Sequence, residues 1–439
     1  MSEPSNILLA FYGDDLTGST DALEFICRAG AKAVLFLEPP SVEQLSKYPG
    51  LNAYGIAGLT RSLSPQAMEK ELMPAFKMMK ESGARHAHYK VCSTFDSSAE
   101  TGSIGTAIDC GAEVFQNRFI PVLGGMPALG RYCVFGNLFA RMGTAGNGNI
   151  YRLDRHPSMS KHPVTPANES DLRLQLGSQT KKKFALIDIT QVEKNIEQWN
   201  EQIQDDDEVV VLDVLNEKQL RKIGEWLDNQ YQNGRALFSV GSSGIEMALG
   251  NFWNDIGLLL KIEPWPTIGS VNPLLIVSGS CSPVTSAQIE YAKRNGFEEI
   301  ILNANKICEE NTINENIIEK IVHLLKQEKD VIIHTGKKNE ENLSSEILGR
   351  ILGIIARETV KQVNVKRLVV AGGDTSSYAA RAMGIEALEM IAPLVPGAPL
   401  CKAYSKNKSV DGIEVNLKGG QVGGEDYFLI LKNGSVSGE

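Results

Sequence analysis

Short apolar runs that stop in a polar or glycine-bearing cluster, each followed by an amphipathic stretch, recur along this chain and restrict it to strand–turn–helix units. The first is Ile7–Ala29. Its apolar run Ile7–Tyr12 breaks into Gly13-Asp14-Asp15-Leu16-Thr17-Gly18, and a segment carrying Ala22, Leu23, Ile26 and Ala29 leads to Gly30, a residue suited to a helix C-terminus. Ala53–Leu59 ends in Thr60-Arg61-Ser62, after which Ser64-Pro65 starts a helix running to about Glu81. His86–Val91 ends in Cys92-Ser93-Thr94-Phe95-Asp96, and Arg118–Leu123 in Gly124-Gly125. Strands alternating with helices build a parallel sheet, whose strands place their carboxyl ends along one edge.

Open α/β sheets bind ligands at that edge. Asp14, Asp15, Arg61, Lys90, Ser93, Thr94 and Asp96 should converge there. Two acids, a guanidinium, a lysine and hydroxyls suit a small, hydroxylated, anionic molecule, with Arg61 clamping a carboxylate through two hydrogen bonds. Singly, each of these residues reads as a solvated loop or a turn cap. Asp14 and Asp15 carry two readings. They are helix-entry caps at a terminus that favours anions, or they serve a hydroxyl proton or a metal ion.

The 439 residues exceed one ordinary core, so two domains are expected. The proline-rich stretch 263–273 reads as the linker between an N-terminal domain, 1–262, and a C-terminal domain, 274–439. The fold class is α/β, each domain having a mainly parallel sheet flanked by helices. A net charge of −9 argues against a nucleic-acid surface, and no apolar run approaches the roughly 20 residues of a membrane span. Met1–Asn6 has no basic region of a signal peptide, and the seven cysteines are scattered without CxxC. Reduced thiols in a cytoplasmic protein are the economical expectation, with no metal site. The polar loop Arg155–Pro166, with three prolines, reads as a substrate cover, an interdomain contact or a structural loop. Gly241-Ser242-Ser243-Gly244 opens a helix that can present N–H groups to an anion, a weak motif.

Beyond the linker, Leu274–Val277 leads into Ser278-Gly279-Ser280-Cys281-Ser282-Pro283, and Arg367–Ala371 into Gly372-Gly373-Asp374-Thr375. Such glycines admit a phosphate close to the backbone, and helix N-termini and hydroxyls offer donors. The GK[ST] ending of a Walker A loop is missing, and no dinucleotide fingerprint is present. Leu394–Pro399 and Leu417–Gly424 supply two more glycine-bearing loops, the second with Lys418 before flexible positions that suit a phosphate cover.

GDDLTGSTDA at Gly13–Ala22, YKVCSTFDS at Tyr89–Ser97, HPVTPANESDLRLQLGSQT at His162–Thr180, SGSCSPVT at Ser278–Thr285, AGGDTSS at Ala371–Ser377, PGAP at Pro396–Pro399 and KGGQVGGEDYF at Lys418–Phe428 stand in the order of one family. The chain resembles the four-carbon acid sugar kinases over nearly its whole length. The resemblance implies an N-terminal domain holding the acid sugar, a C-terminal domain holding ATP, and phosphate transfer across the cleft. Members phosphorylate D-threonate, D-erythronate or 3-oxo-tetronates, whose products feed aldolases or dehydrogenases. Carried over by position, Asp14, Arg61, Lys90, Ser93, Thr94 and Asp96 hold the sugar acid, and Asp14 or Asp15 is expected to orient or deprotonate its hydroxyl while the other fixes the turn or a water on the metal ion. Ser278, Ser280, Gly372, Gly373, Asp374, Thr375, Gly419, Gly420 and Gly423 hold ATP, with Mg2+ as its companion.

Three departures concern the substrate. Cys92-Ser93-Thr94-Phe95-Asp96-Ser97 replaces a family pattern closer to DSTLRGN, Gly419 and Gln421 replace a serine and an asparagine, and Ala167 ends VTPA where VTPM is usual. A branched acid such as a 3-oxo-isoapionate is therefore the alternative to a tetronate. The expected partners are the sugar acid and ATP, with a homodimer left open and neither nucleic acid nor membrane. A non-catalytic acid-sugar sensor is the rival of a different class. A lyase or aldolase would want a Schiff-base lysine or a metal cluster, and the six histidines do not form one by spacing.

Overall fold

Every position of β1 (Leu9–Gly13) is buried, as in a parallel strand covered on both faces. In chain order there follow β2 (Ala33–Phe36), β3 (Ala53–Ala57), β4 (His86–Lys90), β5 (Ile120–Leu123), β6 (Arg131–Val134), β7 (Asn137–Arg141), β8 (Ile150–Arg152), β9 (Phe184–Ile187), β10 (Val209–Leu212) and β11 (Leu237–Gly241). The remainder are β12 (Leu274–Ser278), β13 (Glu298–Ile301), β14 (Val331–His334), β15 (Arg367–Ala371), β16 (Ala387–Val395), β17 (Ala398–Tyr404) and β18 (Glu414–Lys418). The computed structural model describes residues 7–142, 148–162, 164–232, 234–280, 282–313, 315–336 and 344–434. Cys281 and Pro163 lie outside the described residues, as does the side chain of Asp374. Two compact units emerge, one of Met1–Ala33 and Glu38–Ile262, the other of Val34–Leu37 and Glu263–Glu439.

In the N-terminal unit the strand order is β3-β1-β4-β11-β5-β10-β9, parallel throughout. Register aligns Gly13 with Ala57 and Lys90, and Lys90 with Gly241. The residues that follow those positions therefore leave the sheet along one edge. Helix Pro65–Glu81 begins where Ser64 accepts from Ala67 N and Pro65 fills the first position, as the sequence predicts. It packs Phe76 among Tyr12, Tyr89, Phe115 and Phe238, with the Phe238 ring centroid at 5.0 Å. Helix Ile104–Phe115 is capped by Ser103. Gly102 before it has φ +60, and a Cβ there would lie 2.4 Å from the Arg61 carbonyl oxygen. Only glycine combines that backbone with that approach. β6, β7 and β8 form a small antiparallel sheet within the stretch where the sequence shows no clear alternation.

The C-terminal unit orders its strands β13-β14-β12-β15-β18-β17-β16-β2. The first five are parallel and the last three add an antiparallel flank. β2 comes from the N-terminal part of the chain and pairs Val34, Leu35 and Phe36 with Glu389, Leu388 and Ala387. Pro396-Gly397, read from the sequence as a glycine-bearing loop, is the turn of the β16–β17 hairpin, with Gly397 at φ +80. A two-residue hairpin needs that left-handed glycine, so its glycine is explained by the turn. The core of this unit gathers Leu274, Ile276, Ile289, Ile332, Val369, Phe428 and Leu431. Among the described residues no helix is long and apolar enough to cross a membrane.

Arg367, fully buried on β15, ties the unit together. Its guanidinium donates to Glu414 Oε2 (Nε at 2.7 Å), to Gly269 O (Nη2 at 3.1 Å) and to Leu431 O. Arg367→Met would leave two carbonyls without their donor and Glu414 with the more exposed Lys366 alone. A loss of about 3 kcal/mol is expected, read as a lower denaturation midpoint. An unchanged midpoint would show that the guanidinium does not hold these segments.

Candidate functional site

β1 carries Asp14 and Asp15 to the carboxyl edge of the N-terminal sheet, where each is only 4% exposed. Backbone bonds fix the turn: Asp14 N donates to Lys90 O (2.9 Å) and Arg61 N to Asp14 O (3.1 Å). The two aspartates then part roles. Asp15 is the N-cap of helix Leu16–Arg28, its Oδ1 accepting from Gly18 N (2.7 Å) and its Oδ2 from Thr17 Oγ1 (3.0 Å). Asp14 caps nothing. Its carboxylate accepts from Arg61 Nε (3.1 Å) and Nη2 (2.9 Å) and from Cys92 N (3.3 Å). Burial pushes the Asp14 carboxyl up, the Arg61 charge opposes this, and the neighbouring Asp15 adds to it.

Arg61 also donates from Nη1 to Asp15 Oδ2 (2.7 Å). The guanidinium expected to clamp a substrate carboxylate thus bridges the two protein carboxylates. Lys90, 1% exposed, sends Nζ to Val91 O (3.1 Å) and lies 3.6 Å from Asp21 Oδ2. Burial works against its charge, yet Asp21, Asp14, Glu246 and Asp15 outweigh it and hold the ammonium above its ordinary value. A Cβ at Gly18 would lie 3.2 Å from Lys90 Nζ and 2.6 Å from Asp15 Oδ1, so the glycine makes room for this cluster.

Cys92 links the cluster to a cavity of about 470 Å³ lined by Thr94, Asp96, Thr165, Ala167, Glu169 and Gln179, among others. Its N–H is on Asp14 and its Sγ lies 3.0 Å from Thr94 Oγ1. The polar loop Arg155–Pro166 contributes Thr165 and Pro166 to the wall. Ser93 Oγ accepts from Arg131 Nε (3.3 Å). Sequence reasoning missed Arg131. Its Nη1 donates to the carbonyls of Leu129 and Arg141 (2.9 and 3.3 Å). No ion pair engages it among the described residues, and burial pulls its guanidinium down against the pull of Cys92, Asp96 and Asp21. Also missed was Asp21, whose Oδ2 accepts from Ser243 Oγ (2.6 Å), which gives the weak Gly241–Gly244 motif a structural partner.

In the C-terminal unit β12, β15 and β18 are neighbours with Ser278, Ala371 and Lys418 in register. The loops that follow them therefore leave one edge together. Gly372 N donates to Lys418 O (2.9 Å) and Gly279 N to Ala371 O (3.1 Å). A Cβ on Gly372, where φ is +123, would lie 3.1 Å from Thr375 Oγ1 and 3.3 Å from Ser280 N, and one on Gly420 3.0 Å from Ser280 Oγ. Ser280, Gly372, Thr375 and Gly420 are thus brought together, beside Ser278 and at the starts of helices Pro283–Arg294 and Gly373–Met383. A Cβ on Gly419 would meet Val422 Cγ2 at 3.5 Å, an ordinary van der Waals contact. Gly423 stands apart: a Cβ there would run into the Tyr427 ring at 2.1 Å, and its carbonyl accepts from Gln288 Nε2 along with those of Val422 and Gly424.

Residues 9–249 match the family model described as a sugar-binding N-terminal domain, and residues 275–428 the one described as a nucleotide-binding C-terminal domain. A 3-oxo-isoapionate kinase of Paraburkholderia graminis is 38% identical over 99% of this chain and 96% of its own. A 3-oxo-tetronate kinase of Pseudomonas savastanoi pv. phaseolicola is 24% identical over 96% of each chain. A solved structure from Salmonella typhimurium LT2, described as a tRNA synthase, superposes with a TM-score of 0.77 at 24% identity, covering 97% of this chain and 98% of that one. That likeness shows the fold. The paired domain matches and the full-length relatives place this chain in the four-carbon acid sugar kinase family, enzymes that join a sugar-binding domain to a nucleotide-binding one.

Proposed function

We propose that this chain transfers a phosphoryl group from ATP to a hydroxyl of a 3-oxo sugar acid of the branched, 3-oxo-isoapionate type. The observation that carries the chemistry is Asp14: a buried carboxylate at the sheet edge that caps no helix and is aimed by Arg61. The relative at 38% identity favours the branched acid. A linear 3-oxo-tetronate is the second reading, carried by relatives at about 24%.

Phosphoryl transfer needs the acceptor hydroxyl positioned and the phosphate charge neutralised. Asp14, its carboxyl pushed up by burial, orients the acceptor hydroxyl and takes its proton. Lys90 supplies the nearby positive charge. With Arg61 bridging two aspartates, the substrate carboxylate falls to Arg131, which donates to Ser93, the residue before Thr94 of the cavity wall. Backbone N–H groups at Ser280 and Gly372–Thr375 receive the nucleotide phosphates.

Mg2+ fits this arrangement as an ion carried by the nucleotide. Among the described residues no three His, Cys, Asp or Glu side chains gather as a metal site. Asp14 and Asp15 are engaged by Arg61. Phosphate oxygens and water would supply most of its ligands, and the ion when bound offsets phosphate charge.

Incubation with ATP, Mg2+ and a panel of 3-oxo-isoapionate, 3-oxo-tetronates, D-threonate and D-erythronate should release ADP fastest with the branched 3-oxo acid. Absence of ADP with every acid would reject the reading. Asp14→Asn should lower kcat by about 10²–10⁴-fold with ADP affinity unchanged, and near-normal turnover would remove Asp14 from the proton transfer. Arg131→Met should raise KM for the acid by about 10–100-fold, the loss of a charged hydrogen bond, while kcat changes little. Arg61→Met should instead act on stability, costing about 3 kcal/mol because two buried carboxylates lose their shared partner. A melting temperature left in place would contradict that role.

A further inference from the structure

Lys418 is the last residue of β18, paired with Ala371 of β15, and is completely buried. Its Nζ donates to Thr285 Oγ1 (3.0 Å), and Thr285 donates in turn to Gly420 O (2.9 Å). The ammonium therefore lies beneath the loop that, with Ser280 and Gly372, forms the convergence described above. What faces it is otherwise neutral. Helix Pro283–Arg294 presents the Thr285 hydroxyl, and helix Tyr427–Asn433 presents the Tyr427 ring, its centroid 5.4 Å away and its phenol donating to Asn416 Oδ1 (2.7 Å). Along β15 and β18 the nearest charges, Arg367 and Glu414, pair with each other at the far ends of those strands. No carboxylate engages Lys418 among the described residues. Burial draws its amine down to about 7.

A buried cation with no counter-ion is unfavourable. Most buried lysines answer this with a carboxylate, as Lys90 does with Asp21. Here no described side chain supplies one, and the neighbouring backbone is arranged for an anion. We propose that Lys418 provides the counter-charge for the nucleotide phosphates, so that the nucleotide binds together with one proton taken up by this side chain. The inference rests on reading the C-terminal unit as the nucleotide site. The proton comes from solvent, converting the neutral amine to an ammonium, and no bond other than N–H is made. At short range in a dry setting such a charge acts strongly on phosphates without touching them, and under Gly420 it acts as a positioning residue.

The sign follows from linkage. A group that titrates near 7 in the free protein and higher in the complex favours binding at low pH, and the advantage fades as pH rises past 7. Wild-type affinity for ADP should fall about fivefold between pH 7 and pH 8. Calorimetric titration with ADP at pH 8, in buffers of different ionisation enthalpy, should show uptake of most of one proton per nucleotide. Lys418→Met should bind more weakly at pH 7 with no uptake and an affinity flat with pH. Lys418→Arg, charged at every pH tested, should bind without uptake. ADP binding by the wild type with no proton uptake would overturn the inference and leave the nucleotide site standing, as would uptake that persists in Lys418→Met. Failure of the wild type to bind ADP would overturn both.

Discussion

Two adjacent carboxylates, each 4% exposed, sit at the head of one helix, and a single guanidinium makes that arrangement tolerable. Without Arg61, burial and the neighbouring Asp15 charge would push Asp14 further toward its protonated form. With it, Asp15 stays available as an N-cap and Asp14 stays aimed away from the helix. The bridge is possible because β1 and β3 pair in register, which brings Arg61 N onto Asp14 O (3.1 Å). β4 on the other side of β1 then contributes Lys90 at the same level. Register, charge pairing and burial thus act together. A one-residue slip of either neighbour would separate the groups.

Buried parallel strands are near-continuous apolar runs, which is why β1, β3, β4, β5, β12 and β15 are legible in the sequence to within a residue or two. Helix Pro65–Glu81 is legible at both ends, through Ser64-Pro65 and Gly83. Antiparallel strands that alternate buried and half-buried residues leave no such trace, so β6–β8 are not. Pairing between distant segments is equally hidden. Nothing in Val34–Phe36 announces that it joins β16, and nothing in Pro396-Gly397 marks it as a hairpin turn rather than another glycine-bearing loop until its flanking strands are seen to pair.

The candidate site divides along the same lines. Asp14, Asp15, Arg61 and Lys90 stand at strand ends, where topology alone makes them neighbours. Whether Arg61 holds a ligand or a protein carboxylate depends on distances that only the folded chain sets. Arg131 lies in the stretch without alternation, and its proximity to Ser93 is a product of the small antiparallel sheet. Lys418 is visible as a lysine before glycines, but its complete burial is a tertiary fact. The two units also treat charge differently. The first gathers buried acids and bases at its sheet edge, whereas Lys418 of the second is met, among the described residues, by the Thr285 hydroxyl and the Tyr427 ring.

The central claim is transfer of phosphate to the sugar acid rather than its release to water. Phosphorus-31 NMR of the wild-type protein with ATP, Mg2+ and 3-oxo-isoapionate tests this directly. Loss of the γ-phosphate signal with matching growth of a phosphomonoester coupled to a carbinol proton of the acid is the result predicted. Growth of orthophosphate alone, or an ATP spectrum that does not change, would contradict it.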